Sequence, residues 1–132
     1  MKCHSLCLTI KNFTINFKLK MAWIFLIIGG IFESLFSFSL GKISLTSGKE
    51  MFLWILVFAA SVSLSMYFLY KAIDTGLGIG VSYAVWAAIG AAGSVLMGIF
   101  LLSEPVSFWR FFFLTLLIVS VVGLNLSSNP TS

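Results

Sequence analysis

Apolar residues occur in four long runs separated by short polar links. The runs cover about residues 22–41, 51–70, 79–102 and 106–126. A helix of about 20 residues, at 1.5 Å per residue, crosses the roughly 30 Å hydrocarbon core of a bilayer. Strands are not expected, because an open strand edge leaves backbone groups unsatisfied in lipid. The pattern therefore predicts an all-α membrane protein with four transmembrane helices in a short bundle.

The two ends of the chain differ from the transmembrane domain predicted for residues 21–127. Residues 128–132 form a polar carboxyl-terminal end. Residues 1–20 are basic, mix polar with apolar positions and lack the apolar core of a signal peptide. Two interpretations stay open: a cytoplasmic tail that lies on anionic lipid, or translation that truly begins at Met21. We prefer the interpretation that translation begins at Met21.

The tail also contains Cys3, His4 and Cys7, a spacing that resembles part of a metal site. Three ligands on a short tail, with no fourth in reach, are a poor match to a structural zinc site. We expect no metal and no cofactor.

Composition supports a membrane protein and excludes several other classes. Of the 132 residues 60% are hydrophobic and only 9% are charged, whereas a soluble domain has about 25% charged residues. The net charge of +4 comes from four lysines that precede residue 22; the charges of the remaining chain balance. The positive net charge therefore gives no support for nucleic-acid binding. The orientation in the membrane stays open. If residues 1–20 are present, the positive-inside rule favours a cytoplasmic amino terminus; if the chain starts at Met21, it favours the opposite orientation.

Glu33 is the one charged residue inside the first apolar run. It lies near mid-membrane, where an ionised carboxylate costs several kcal/mol unless it has a partner. Its neighbours one helical turn away are Gly29, Gly30, Phe36 and Ser37, and the small ones allow another helix or a ligand to approach closely. One interpretation is a protonated carboxyl that holds two helices together. The other is a titratable site that holds a proton or a cation but not both, the minimum requirement for exchange.

Tyr83 and Trp86 lie one turn apart on the third predicted helix. The first and third helices cross in the same direction, so Trp86 and Glu33 should differ in depth by only about 6 Å. Aromatic faces beside a carboxylate suit a delocalised or apolar cation. Small residues dominate positions 87–94 of the same helix, which is typical of tight helix packing and also of a bending or sliding surface.

The chain lacks the residues that an enzyme needs. Its single histidine lies in the tail, so no Ser-His-Asp or Cys-His arrangement is possible in the membrane domain. The glycines at 76, 78 and 80 follow no strand and precede no Lys-Ser/Thr pair, which argues against a nucleotide site. A channel is disfavoured, because one acid per subunit makes a poor hydrated path.

The sequence Tyr83-Ala-Val-Trp86, followed by Ile89-Gly90 and combined with Glu33 in the first of four short helices, resembles the small multidrug resistance transporters. The resemblance covers residues 21–127 and is closest to the guanidinium-exporter branch or to a paired, heterodimeric member. It implies a proton-coupled cation exporter that works as an antiparallel dimer, with one membrane-embedded glutamate per subunit.

The same resemblance assigns roles to individual residues. It implies that Glu33, Tyr83, Trp86 and Ser65 bind substrate or protons. Site-lining or packing positions would be Gly30, Phe36, Ser37 and Gly90.

Specific departures from the family pattern affect the expected cargo. The usual Thr-Gly after the tryptophan is Ala87-Ala88, and Phe36 stands where guanidinium exporters often have a tryptophan. These changes cast doubt on guanidinium as the substrate and fit a member that pairs with a second, non-identical subunit.

We therefore expect a multi-pass protein of a bacterial plasma membrane, not an enzyme. The expected function is proton-coupled export of small or lipophilic organic cations, of the quaternary ammonium or guanidinium type, by a homodimer or a heterodimer. The alternative is a non-transporting or regulatory subunit that needs a paired partner for activity.

Overall fold

Four helices make up the secondary structure of the part of the chain that the computed structural model describes, residues 2–128 with side chains from residue 13 onward. They are α1 (Lys2–Leu45), α2 (Lys49–Asp74), α3 (Ile79–Leu101) and α4 (Phe108–Ser127). Each contains a segment long and apolar enough to cross a membrane. The prediction of an all-α protein with four transmembrane helices is confirmed.

Helix α1 begins earlier than the apolar run, since it continues without a break through Met21. No proline occurs in this stretch, so nothing in the sequence ends the helix there. The span that starts at Phe13 has 33 residues, or about 50 Å at 1.5 Å per residue, more than the roughly 30 Å of hydrocarbon. The span is therefore about 20 Å longer than the hydrocarbon core is thick. The side chains of Cys3, His4 and Cys7, considered above for a metal site, lie outside the described residues.

The other three helices lie close to their predicted ranges. Helix α2 runs four residues further than the apolar pattern, to Asp74, and the chain then turns at Gly76 with a φ of 108°, a left-handed conformation that glycine adopts without strain. Helix α4 begins at Phe108, later than predicted. In the link before it, Glu104 forms an ion pair of 2.7 Å with Arg110.

Helix α1 lies at the centre of the bundle and packs against both α2 and α3, whereas α4 packs against α3 alone within the described residues. The hydrophobic core consists of Leu26, Leu69, Ala72, Val85 and Trp86. Helix α4 has no buried residue.

The buried polar side chains described by the structure are all serines, at positions 34, 39, 61, 65 and 82. Small hydroxyl side chains let helices approach closely and can form hydrogen bonds between them, which is how membrane helices commonly associate. Two of these serines define the candidate site.

Candidate functional site

Glu33 lies where α1 crosses α3. A Cβ atom placed on Gly90 would overlap the Cγ of Glu33 and lie 2.7 Å from its Cδ. Real Cβ atoms are not found that close to another carbon, so the glutamate side chain occupies the space that the missing side chain of Gly90 leaves. The carboxylate therefore lies directly against the α3 backbone.

The glycines one turn before Glu33 make the same crossing possible. A Cβ on Gly30 would lie 2.7 Å from the Cβ of Ile89, and one on Gly29 would lie 3.2 Å from the Cδ1 of Trp86. These glycines admit neighbouring helices: α3 lies against both, and α2 also lies against Gly29. Glu33 is thereby placed level with Gly90, and Trp86 lies one helical turn away, level with Gly29.

Ser65 of α2 joins all three central helices. Its hydroxyl donates a hydrogen bond of 2.8 Å to the carbonyl oxygen of Gly29 in α1. It also accepts a hydrogen bond of 3.0 Å from the indole Nε1 of Trp86 in α3. All three residues are buried, so the indole N–H of Trp86 and the hydroxyl of Ser65 depend on this network for their partners. The network fixes the orientation of the Trp86 ring.

Tyr83 and Trp86 form an aromatic pair with different exposure. Their ring centroids are 5.2 Å apart, with planes tilted by 45°. Trp86 is only 4% exposed, whereas Tyr83 is 57% exposed. The aromatic surface available to a ligand in this conformation therefore belongs mainly to Tyr83, and the tryptophan supports it from within the bundle.

Phe36 and Ser37 are the two remaining predicted residues, both on α1. Phe36 packs edge-to-face against Phe58 of α2, with 6.0 Å between ring centroids. Ser37 is half-buried. Phe36 therefore contributes to the α1–α2 interface.

Ser34 is a residue at the site that sequence reasoning missed. Its hydroxyl lies 3.1 Å from the carbonyl oxygen of Gly30 and 3.2 Å from that of Gly90, in hydrogen-bonding range of both. The signal was present as Gly30-x-x-x-Ser34, two small residues one turn apart. It was missed because only the positions three and four residues from Glu33 were considered as neighbours.

The carboxylate has no counter-charge in the part of the chain that the structure describes. Its Oε2 atom is buried and has no hydrogen-bond partner. Among the described residues the single salt bridge joins Glu104 and Arg110, at the start of α4. A buried carboxylate without a donor is costly while it is ionised, so it favours the arrival of either a proton or an external cation.

Comparison with known proteins identifies the family. The profile described as "Small Multidrug Resistance protein" matches residues 21–117. A protein of Yersinia pseudotuberculosis named "Guanidinium exporter" is 37% identical over 112 residues, which cover 82% of this chain and all of that protein. A Bacillus licheniformis protein named "Probable guanidinium efflux system subunit GdnD" is 36% identical over 108 residues, 82% of this chain and all of its own length. A "Guanidinium exporter" of Salmonella typhimurium is 34% identical over 109 residues, 83% of this chain and again all of that protein. The chain belongs to the small multidrug resistance protein family.

Proposed function

We propose that this protein exports small organic cations across the bacterial plasma membrane in exchange for protons, with Glu33 as the group that binds both. The observation that carries the proposal is the buried Oε2 of Glu33, which has no internal partner in a helix long enough to cross the membrane. Family membership supports efflux of a small cation.

One carboxylate is sufficient for exchange, because either a proton or a cation can neutralise its single negative charge. When Glu33 is ionised and open to the cytoplasm, a cation binds and offsets its charge. On the outer side protons compete for the same oxygens and displace the cation. Proton and cation cannot both be held, so inward movement of protons drives outward movement of the cargo.

Among the possible cargoes we favour a planar guanidinium-type cation. A carboxylate accepts two parallel N–H bonds from a guanidinium group, a geometry that a quaternary ammonium cannot use. The exposed ring of Tyr83 adds a face on which a delocalised cation can stack. The names of the relatives above agree with this choice. Phe36, Ala87 and Ala88 are the departures that argue for a different cargo.

We further propose that the working unit is a dimer, either of two identical chains or with a paired relative. Helix α4 supports this proposal, since among the described residues it packs against α3 alone and has no buried residue. A second subunit would cover apolar surface and supply a second carboxylate. In the alternative, this chain is a subunit that transports only with a partner, which the word "subunit" in the name of the Bacillus relative favours.

The test is transport by the purified protein reconstituted in vesicles, alone and together with any paired relative encoded beside it. Proton flux is measured with a guanidinium gradient and with a quaternary ammonium gradient. We expect Glu33→Gln to abolish proton-coupled flux, because an amide cannot exchange a proton, and Glu33→Asp to retain flux with a shifted pH profile.

Glu50→Gln is the matched control, since Glu50 is an exposed acid in the first turn of α2. Unchanged flux in Glu33→Gln would overturn the proposed mechanism. Flux that requires the second chain would establish the subunit alternative.

A further inference from the structure

Two adjoining cavities lie between α4 and the rest of the bundle, away from Glu33. The first has a volume of about 540 Å³ and the second of about 560 Å³. Both are lined by Trp23 of α1 and Asn125 of α4, so they meet at these two side chains. The result is one extended cleft along α4.

The two parts of the cleft differ in chemistry. Apart from Trp23 and Asn125, the first part is lined only by aliphatic side chains of α3 and α4, such as Ala88, Ala92, Ile118 and Val122. The second part mixes apolar side chains with polar groups that include Lys18, Thr75 and Ser128. We call the first part the apolar cleft and the second the polar mouth.

The polar mouth lies at one surface of the membrane. It is formed by the amino-terminal side of the α1 span, the link that follows α2 and the end of α4. Successive spans cross the membrane in alternating directions, so these three segments lie on the same side. Lys18 is five residues before Trp23, about 7.5 Å along the helix, which places its ammonium group at headgroup level if Trp23 lies at the interface.

The charges and polar groups of the mouth select the ligand. Lys18 is the one ionisable side chain among the residues that line the two cavities, and it has no ion-pair partner within the described residues. Its positive charge repels a cationic substrate and attracts a phosphate. The amide of Asn125 makes no hydrogen bond to any described residue, and it lies at the junction, where a polar linkage between chain and headgroup would pass.

We propose that, in the chain translated from Met1, this cleft binds an anionic glycerophospholipid, with an acyl chain in the apolar cleft and the phosphate beside Lys18. The bilayer supplies acyl chains at high concentration to any apolar groove that opens to it, so an apolar cleft of this kind is filled by lipid unless protein covers it. The lysine then determines which lipid is held.

The experiment measures bound lipid by native mass spectrometry of the full chain, released from detergent that contains phosphatidylglycerol or phosphatidylcholine with the same acyl chains. We expect phosphatidylglycerol to be retained in preference. Lys18→Gln should reduce its apparent affinity about five-fold, the effect of one lysine near an anionic surface. Lys20→Gln is the matched control, because Lys20 is exposed and does not line the mouth.

A second pair of variants tests the apolar cleft. Ile118→Trp fills it and should reduce lipid retention, whereas Val119→Trp adds the same bulk at an exposed neighbour that does not line it. Circular dichroism verifies that each variant is folded.

Three results would overturn the proposal. They are equal retention of the two lipids, equal losses in the two lysine variants, and full retention in Ile118→Trp. None of these results depends on transport, so the lipid site and the transport function are tested separately.

Discussion

Replacing Gly90 with alanine tests whether the position of the Glu33 carboxylate is what makes it a binding site. The added Cβ would lie 2.7 Å from the carboxyl carbon and 2.9 Å from the Cβ of Glu33. Ordinary contact begins near 3.4 Å, so the carboxyl carbon must move by about 0.7 Å. Rotation of the side chain can move its Cγ and carboxyl group, but not its Cβ, so α1 must also shift away from α3 by about 0.5 Å to relieve the contact at 2.9 Å.

The expected magnitudes separate binding from stability. Overpacking costs about 1–3 kcal/mol, and alanine recovers about 0.5–1 kcal/mol of helix propensity over glycine, so the free energy of unfolding should fall by no more than about 2.5 kcal/mol. A shift of 0.7 Å, however, takes a charge-assisted hydrogen bond of about 2.8 Å beyond its useful range. Loss of one such bond, about 1.5–3 kcal/mol, lowers cation affinity ten-fold or more.

Cation affinity is measured by titration in detergent and by the substrate concentration that gives half-maximal proton flux in vesicles. Thermal unfolding followed by tryptophan fluorescence reports stability. Gly80→Ala and Gly123→Ala are matched controls, since a Cβ at either position meets no atom within 4 Å. Both controls should bind and transport normally.

Gly30→Ala tests a closer Cβ–Cβ contact between the two helices than Gly90→Ala does. Its Cβ would lie 2.7 Å from the β-branched carbon of Ile89, which cannot rotate away, so α1 and α3 must separate and stability should fall more than in Gly90→Ala. Wild-type affinity in Gly90→Ala, with the protein folded, would refute the reasoning that the α3 backbone positions the carboxylate.

Two further substitutions test the network and the α3–α4 link. Ser65→Ala should lower the free energy of unfolding by about 1–3 kcal/mol, because the buried indole N–H of Trp86 loses its acceptor; Ser63→Ala, which removes an exposed hydroxyl bonded within its own helix, should change it by less than about 0.5 kcal/mol. Thermal unfolding measures both, and equal losses would contradict a bridging role for Ser65. Arg110→Gln should cost only about 0.2–1 kcal/mol, since both members of its pair with Glu104 are about two-fifths exposed. Unfolding at low and high salt checks this, because the difference in free energy of unfolding between wild type and variant should shrink when salt screens the pair. A larger loss, or one that does not depend on salt, would contradict a surface ion pair.

The number of helices and the level of the site could be predicted because both depend on patterns within a helix. Apolar runs of membrane length give the four spans. A single acid flanked by Gly29 and Gly30 indicates a close approach of another helix, and the depth estimate placed Trp86 near Glu33. The contacts of Gly29 and Gly30 with α3 agree with that estimate.

The hydrogen bonds across helices could not be predicted in the same way. Helical spacing identifies which residues share a face, but it does not say which carbonyl oxygen on another helix lies opposite. Ser34 to Gly90 and Trp86 to Ser65 are separated by 56 and 21 residues, and both depend on the crossing of three helices. The early start of α1 was missed for a different reason: the boundary was placed where the apolar run begins, although a change in polarity does not end a helix.

Glu33 is unusual less for its burial than for the lack of an ion-pair partner beside it among the described residues. Lys42 lies over the ring of Phe38 at 5.7 Å, near the end of α1, and Lys71 lies 5.9 Å from the ring of Tyr67, near the end of α2. These cations satisfy their charge locally and at the ends of the helices. A lysine or arginine within reach of Glu33 would neutralise it permanently and leave nothing for a substrate to do. In the exchange that we propose, the charge of this unmatched carboxylate is offset by a proton or a cation from outside, and each displaces the other.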